Sequence, residues 1–263
     1  MKLLTLNCHS WQEENQAEKI TYLAETIKEK SFDVIALQEV NQTVEEKTVY
    51  GNIKNDNYAL VLLDKLKKLG IENYSLVWEF SHMFKNFEEG LAILTKHPIV
   101  EEHSFYVSNI KNKNNWKTRK IVGATIQYGI EQYTFYSCHM GWWHDNEEPF
   151  KDQAVNLLKN INMNGNAFLM GDFNNNAFIK EEGYDYLISH GLIDTYYLAE
   201  LKDDGVTVKG EIAGWKGDIQ EKRIDLILTN HQVPVEYSKV IFNGKNKPIV
   251  SDHFGVEIKL KNT

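Results

Sequence analysis

Cysteine, proline and clustered positive charge are all scarce in this chain. Its 263 residues include 2 cysteines, Cys8 and Cys138, too few for a disulfide framework. A reducing, cytoplasmic setting is the expectation. There are 4 prolines and no low-complexity tract or evident repeat, so no linker divides the sequence. A single domain over residues 1–263 is expected, long enough for a sizeable core. Basic residues number 29 against 37 acidic ones, a net charge of -8. The densest basic stretch, Lys111 to Lys113 with Lys117, Arg119 and Lys120, reads as a solvated hairpin tip. Proteins held to DNA through its phosphates carry basic patches. The acidic balance therefore argues against nucleic acid as partner, without excluding it. It favours a small phosphorylated substrate gripped by a metal and a few cations. No run approaches the roughly 18 apolar residues of a membrane span. The opening MKLLTLNCHSW turns polar at Asn7, so no targeting segment is expected.

Hydropathy patterning supplies the elements. Lys2 to Cys8 reads as a strand, and 16–29 has helical apolar spacing at Ala17, Ile20, Leu23, Ala24 and Ile27. The run from Phe32 to Leu37 is a buried strand, and 57–69 a helix stopping at Gly70. From Tyr74 to Tyr136, short Val, Ile, Tyr and Phe runs broken by Gly, Asn and Lys suggest a meander of strands. Helices at 148–161 and 182–190 flank a strand at 167–170. Residues 195–220 read mostly as loop, and three strands close the chain at 224–228, 235–242 and 254–260. Strands and helices without strict alternation argue for sheets packed on each other with helices outside.

Polar residues gather where apolar strands stop. The first strand ends in Asn7-Cys8-His9 and the second in Gln38-Glu39. TFYSCHM delivers His139, and GDFNNN delivers Asp172 and Asn174. Arg223-Ile224-Asp225 and Ser251-Asp252-His253 open two later strands. Singly, each has a plain structural reading: an Asx turn, a cap, a solvated strand end or a surface ion pair. Together they point to a catalytic site. Alternation puts i and i+2 on one side. Asp172 and Asn174 then face one point while Phe173 turns inward. Asn7 and His9 share a side, and both cysteines point the other way as small core residues. Carboxylates and an amide without thiolates suit a hard cation, Mg²⁺ with Mn²⁺ as the alternative. No Ser or Cys sits in a nucleophile elbow, so water is the expected nucleophile. With His beside carboxylates, the chemistry reads as metal-assisted hydrolysis of a phosphate ester.

The ordered series Asn7, LQEV (37–40), GLAILTKHPI (90–99), CHM (138–140), GDFN (171–174), RIDLIL (223–228) and SDH (251–253) resembles the endonuclease/exonuclease/phosphatase, or DNase I-like, superfamily. The resemblance spans nearly the whole chain. It implies an α/β fold, a four-layer α/β/β/α sandwich of two mainly antiparallel sheets flanked by helices. It implies a divalent metal held by Glu39 and Asn7 with Asp252 beside it. His253, paired with Asp225, would be general base or proton relay. Asp172 would orient or deprotonate water, and Asn174 and His139 would hold phosphoryl oxygens. Abasic-site endonucleases usually carry Asp two residues after the first Asn; His9 stands there in this chain, which weakens a DNA-repair reading.

The substrate is read from the aromatics. Trp142 and Trp143 follow His139, Trp215 lies in the late glycine-containing loop, and indoles stack on sugars and bases. These three, with His9, are the expected substrate-binding residues. Arg119 joins them as a phosphate ligand, with a plain surface arginine as its other reading. Trp78 reads as core. The combination TLNCHSW…LQEVNQ…CHMGWWHDNEEPF is similar to a bacterial subgroup that includes maltose 6'-phosphate phosphatases. A phosphomonoesterase acting on a small phosphorylated sugar is therefore the first expectation. A DNase I-like or sphingomyelinase-like phosphodiesterase is the alternative. A non-enzymatic binding module is third, disfavoured because every catalytic position is filled.

Overall fold

The computed structural model describes residues 1–261. Along the chain run β1 (Lys2–Asn7), α1 (Gln16–Lys30), β2 (Val34–Thr43), a small hairpin of β3 (Thr48–Tyr50) and β4 (Ile53–Lys54), and α2 (Tyr58–Lys68). The meander follows as β5 (Ser75–Phe84), β6 (Phe87–Thr95), β7 (Ile99–Tyr106), β8 (Lys120–Tyr128) and β9 (Glu131–His139). Then come α3 (Phe150–Asn160), β10 (Asn166–Asp172), α4 (Gly183–Ser189), β11 (Ile193–Asp194), α5 (Thr195–Leu198) and β12 (Ala199–Lys202). The described chain closes with β13 (Asp225–Thr229), β14 (Val235–Ile241) and β15 (Gly255–Leu260).

Alternation in the strands builds the layers. One sheet has seven strands in the order β12-β14-β15-β1-β2-β6-β5, and the other six, β11-β13-β10-β9-β8-β7. Most neighbours are antiparallel; β1–β2, β9–β10 and β12–β14 are parallel. In β1, Leu3 packs between the sheets with Phe135, Phe168 and Met170. Leu4 and Leu6 face outward onto α1 and α2, where Ile20, Leu23, Ile27 and Leu62 are buried. Each such aliphatic side chain contributes about 1.5–3 kcal/mol by leaving water. On the far side, α3 and α4 bury Leu157 and Leu187 against Leu169 and Leu226. Helix, sheet, sheet and helix thus form the four-layer sandwich that the motif series implied. The Asn57 side chain accepts the backbone N–H groups of Ala59 and Leu60 to start α2, and Gly70 follows its end at φ 80°.

One expectation needed correction. β2 does not end at Glu39 but pairs with β6 as far as Thr43, with its register shifting between Leu37 and Val40. Residues 195–220 are mostly loop, as expected, with α5 and β12 occupying 195–202. β12 is a short edge strand with three exposed residues, so it has no apolar alternation to read.

Candidate active site

Strand register performs the first assembly step. Asp172, ending β10, pairs with His139 on one neighbour and with Asp225 on the other. Directly paired residues project to the same face, so the three stand in a row at one sheet edge. Gly171 makes the row possible. Its φ is 153°, and a Cβ there would lie 1.9 Å from the Cys138 carbonyl oxygen.

The other sheet supplies Asn7 and Glu39. The register shift in β2 turns Glu39 out of simple alternation, at φ 51°. His9 at φ 42° and Asn174 at φ 49° adopt the same left-handed region. Each such non-glycine residue costs on the order of 1–3 kcal/mol, a strain that clusters at functional sites. Asn7 bridges the sheets, its Nδ2 donating to Glu39 Oε1 at 2.9 Å and to Asp172 Oδ2 at 3.2 Å. Its Oδ1 accepts the His9 backbone N–H.

Asp172 is the hub. Its Oδ1 accepts the Asn174 backbone N–H at 2.8 Å, and its Oδ2 lies 3.7 Å from His253 Nε2 and 3.8 Å from His139 Nε2. On the other side of the imidazole, His253 Nδ1 is 2.9 Å from Asp225 Oδ2. Asn174 donates Nδ2 to the Met140 carbonyl, and its Oδ1 accepts the Trp215 indole N–H at 3.1 Å. His9 Nδ1 is 2.6 Å from Glu13 and 3.7 Å from Asp252.

Burial sets the protonation states. It pushes Asp172 up to about 7, opposed by the positive pull of His253 and reinforced by Asp225. Burial disfavours the imidazolium of His253, but the Asp225 and Asp172 carboxylates outweigh it and hold this group well above the usual histidine range. His139 goes the other way: burial and then the Arg119 charge keep it neutral, well below that range. Two imidazoles a few ångströms from one carboxylate are thereby set to opposite states, the arrangement that separates acid from base roles.

These groups surround a cavity of about 160 Å³. His9, Glu39, Arg119, His139, Trp142, Asp172, Asn174, Asp252 and His253 all line it. Asn7 and Asp225 stand behind it, wholly buried, holding side chains that do. Arg119 is not a surface residue. It is 4% exposed, its Nε has no protein partner, and its guanidinium lies over the Trp142 ring. A second cavity of about 520 Å³ adjoins the first and is lined by Trp116, Trp142, Trp143 and Trp215. Trp78 is core as expected, and Trp11 is tied to backbone carbonyls of Asn41 and Asp56. Of the basic residues expected at a solvated tip, only Lys111 and Lys113 are exposed in the β7–β8 connection; Lys117 and Lys120 are half-buried and paired with Asp145 and Glu79, and Arg119 is buried.

Sequence reasoning missed Glu89 and His82, which also line the first cavity. Glu89 Oε1 is 3.4 Å from His82 Nε2 and 3.8 Å from His139 Nδ1. Burial, with the Glu39 charge, pushes Glu89 up to about 8; burial and Arg119 push His82 down to about 3. The signal was the period of two in FEEGLAIL. Glu89 shares its face with Leu91 and Ile93, both buried between the sheets.

The donors fit a divalent cation. Glu39 is raised by burial and by the charge of Asp252, a repulsion that a cation would relieve. Among the described residues, His9, Glu13 and Asp252 form one group with candidate ligand atoms within 4.8 Å, and Asp172, Asp225 and His253 form another. Thiolates play no part, since Cys8 and Cys138 are buried in opposite outer cores. No helix among the described residues is long and apolar enough to cross a membrane.

Comparison with known proteins agrees. The profile of the Endonuclease/Exonuclease/phosphatase family matches residues 4–253. No curated protein matches significantly. Among solved structures, an endonuclease/exonuclease/phosphatase family protein from Leptotrichia buccalis is 45% identical, with TM-score 0.93 and both chains fully covered. A mannosyl-6-phosphatase of Bacteroides thetaiotaomicron superposes at TM-score 0.69 with 18% identity, again over 100% of both chains. TDP2 from Caenorhabditis elegans does so at 0.68 with 14% identity, covering 100% of this chain and 74% of its own. At those identities the last two show the shared fold alone. The chain belongs to the endonuclease/exonuclease/phosphatase family, and is accordingly a metal-dependent hydrolase of phosphate ester bonds.

Proposed function

We propose that this protein is a Mg²⁺-dependent phosphomonoesterase whose substrate is a small phosphorylated sugar such as maltose 6'-phosphate. One observation carries the reading. A narrow cavity lined by carboxylates, histidines and Arg119 opens beside a wider one lined by four tryptophans. The first suits a phosphoryl group, the second a sugar ring.

Glu39 and Asp252 would hold the cation, Mg²⁺ or alternatively Mn²⁺, with Asn7 fixing Glu39. Bound there, the cation would polarise a phosphoryl oxygen and offset negative charge. The protein's own groups do the rest. Asp172, poised near neutrality, takes the proton of the attacking water. His253, kept charged by Asp225, stabilises the phosphoryl oxygens and supplies a proton as the ester P–O bond breaks and the sugar oxygen leaves. His139, neutral, and Asn174 donate hydrogen bonds to the same oxygens, and Arg119 balances their charge. His9 stands at the rim, and Trp142, Trp143 and Trp215 meet the sugar. Residues 1–263 would act as one domain, and the unpaired cysteines suit a cytoplasmic setting.

The test is phosphate release with Mg²⁺ from a panel: maltose 6'-phosphate, glucose 6-phosphate, a generic phosphodiester, sphingomyelin and plasmid DNA. Release chiefly from sugar monoesters is expected. Cleavage of diester, sphingomyelin or DNA with the monoesters untouched would overturn the substrate assignment.

A further inference from the structure

Residues 209–221 form a strap with an unusual internal support. Its base is closed by pairing between Val208 and Lys222. That base is tied to the active site: Thr207 Oγ1 accepts the Asp225 backbone N–H, and Phe254 N–H donates to the Thr207 carbonyl. Beyond the base no regular structure continues. Gly210, Gly214 and Gly217 all have positive φ, and most of the strap's side chains are exposed. Among the described residues, none of the hydrophobic core clusters includes a residue of the strap.

A buried ammonium holds its shape instead. The Lys222 side chain is fully buried. Its Nζ donates to the carbonyls of Gly210 at 3.2 Å, Asp218 at 2.8 Å and Gln220 at 2.9 Å, with the Asp218 carboxylate at 3.5 Å. The charge also lies over the Trp215 ring, 5.4 Å from its centroid. A buried charge is tolerated only when its donors are satisfied. Here one cation gathers three carbonyls from the two limbs of the strap.

What the strap presents is a wall of the wider cavity. Trp215 donates its indole N–H to Asn174. Gly214 abuts Trp142 so closely that a Cβ would lie 2.1 Å from Cζ2. Lys117, the one lysine or arginine lining this cleft among the described residues, is shared by Asp145 at 2.9 Å and Glu147 at 3.1 Å, and His144 lies 3.0 Å from Glu182. An aromatic floor under a rim whose lysine is already paired suits an uncharged hydroxylated ring, and gives a second anionic group no free counterion.

We infer that this cleft takes the neutral polyhydroxylated leaving group of the phosphate ester, and that Lys222 is a positioning residue which sets leaving-group selectivity by holding the strap. The inference rests on the phosphomonoesterase reading above and adds the wall that selects the substrate.

The test compares wild type with Lys222→Met and Gly214→Ala on maltose 6'-phosphate and on glycerol 2-phosphate, with Mg²⁺. Both variants are expected to lower the ratio of kcat/KM for maltose 6'-phosphate to that for glycerol 2-phosphate at least tenfold, through KM rather than kcat. Lys222→Met should also be nicked faster by protease within 209–221. An unchanged ratio, or equal losses on both substrates, would overturn the inference. Should Lys222→Met fail to fold, Gly214→Ala decides by the same ratio. Should wild type hydrolyse neither monoester, the phosphatase reading fails, and binding of unphosphorylated maltose followed by tryptophan fluorescence decides. Binding by wild type that Lys222→Met or Gly214→Ala weakens tenfold supports the cleft and strap; no binding by wild type, or binding that neither variant weakens, overturns them.

Discussion

Replacing Asp225 by Asn keeps the shape of the His253 partner and removes its charge. The two side chains are buried and 2.9 Å apart, where at an effective dielectric of about 20 their attraction is roughly 6 kcal/mol. Desolvation offsets part of that. If about half of it stabilises the charged imidazole during turnover, the loss is ~3 kcal/mol, a fall in kcat of about 10²-fold. The pH dependence should change as well. In wild type the carboxylates hold His253 charged well past neutrality. In the variant burial is left opposed by Asp172 and Asp252 without Asp225, so the residual activity should decline at lower pH than in wild type. The assay is phosphate release at saturating Mg²⁺ from pH 5 to 9, with near-ultraviolet circular dichroism to verify the fold. A folded variant with kcat within threefold of wild type and the same pH profile would refute the role given to the pair.

Glu89→Gln tests the buried carboxyl. Glu89 is raised from 4.5 to about 8, so its contribution to stability is fully present below about pH 4.5 and lost as pH rises through 8. In urea melts with chelator, Glu89→Gln should gain a few kcal/mol on wild type between pH 5 and pH 9; a gap that stays constant would contradict this. Gly171→Ala places a methyl 1.9 Å from the Cys138 carbonyl oxygen. It should cost at least about 3 kcal/mol in urea unfolding or leave the protein insoluble, and a loss below 1 kcal/mol would show that the strands can part there. Mg²⁺ binding near pH 7 should release on the order of one proton, since the cation favours ionised forms of carboxyls such as Asp172, placed at about 7. Calorimetry in buffers of differing ionisation enthalpy measures this, and buffer-independent heats would contradict it.

Much of the site was legible because strand ends announce it. Asn7, His139, Asp172, Asp225 and His253 interrupt or flank apolar runs, where a turn alone needs no histidine. The i, i+2 rule placed Phe173 in the core and Asn174 beside Asp172, as found. Glu39 was legible as a residue but not as a geometry. A register shift is decided by pairing with β6, not by the local sequence. Glu89 and His82 were hidden because isolated polar residues inside strands usually face water. Only the two-sheet packing turns their face inward. Arg119 could be read either way until the β7–β8 connection folded over it. The strap over 209–221 carries no periodicity, because its organising contact is one lysine reaching backbone carbonyls.

We propose that the carboxylate and imidazole row at the sheet edge performs metal-assisted hydrolysis. The most direct measurement is phosphate release from maltose 6'-phosphate by wild type and Asp172→Asn, each with Mg²⁺ and with chelator. Release by wild type is expected only with the cation, with a loss of at least about 10²-fold in Asp172→Asn at an unchanged fold. Release that persists in chelator, or a folded Asp172→Asn protein that turns over normally, would contradict it.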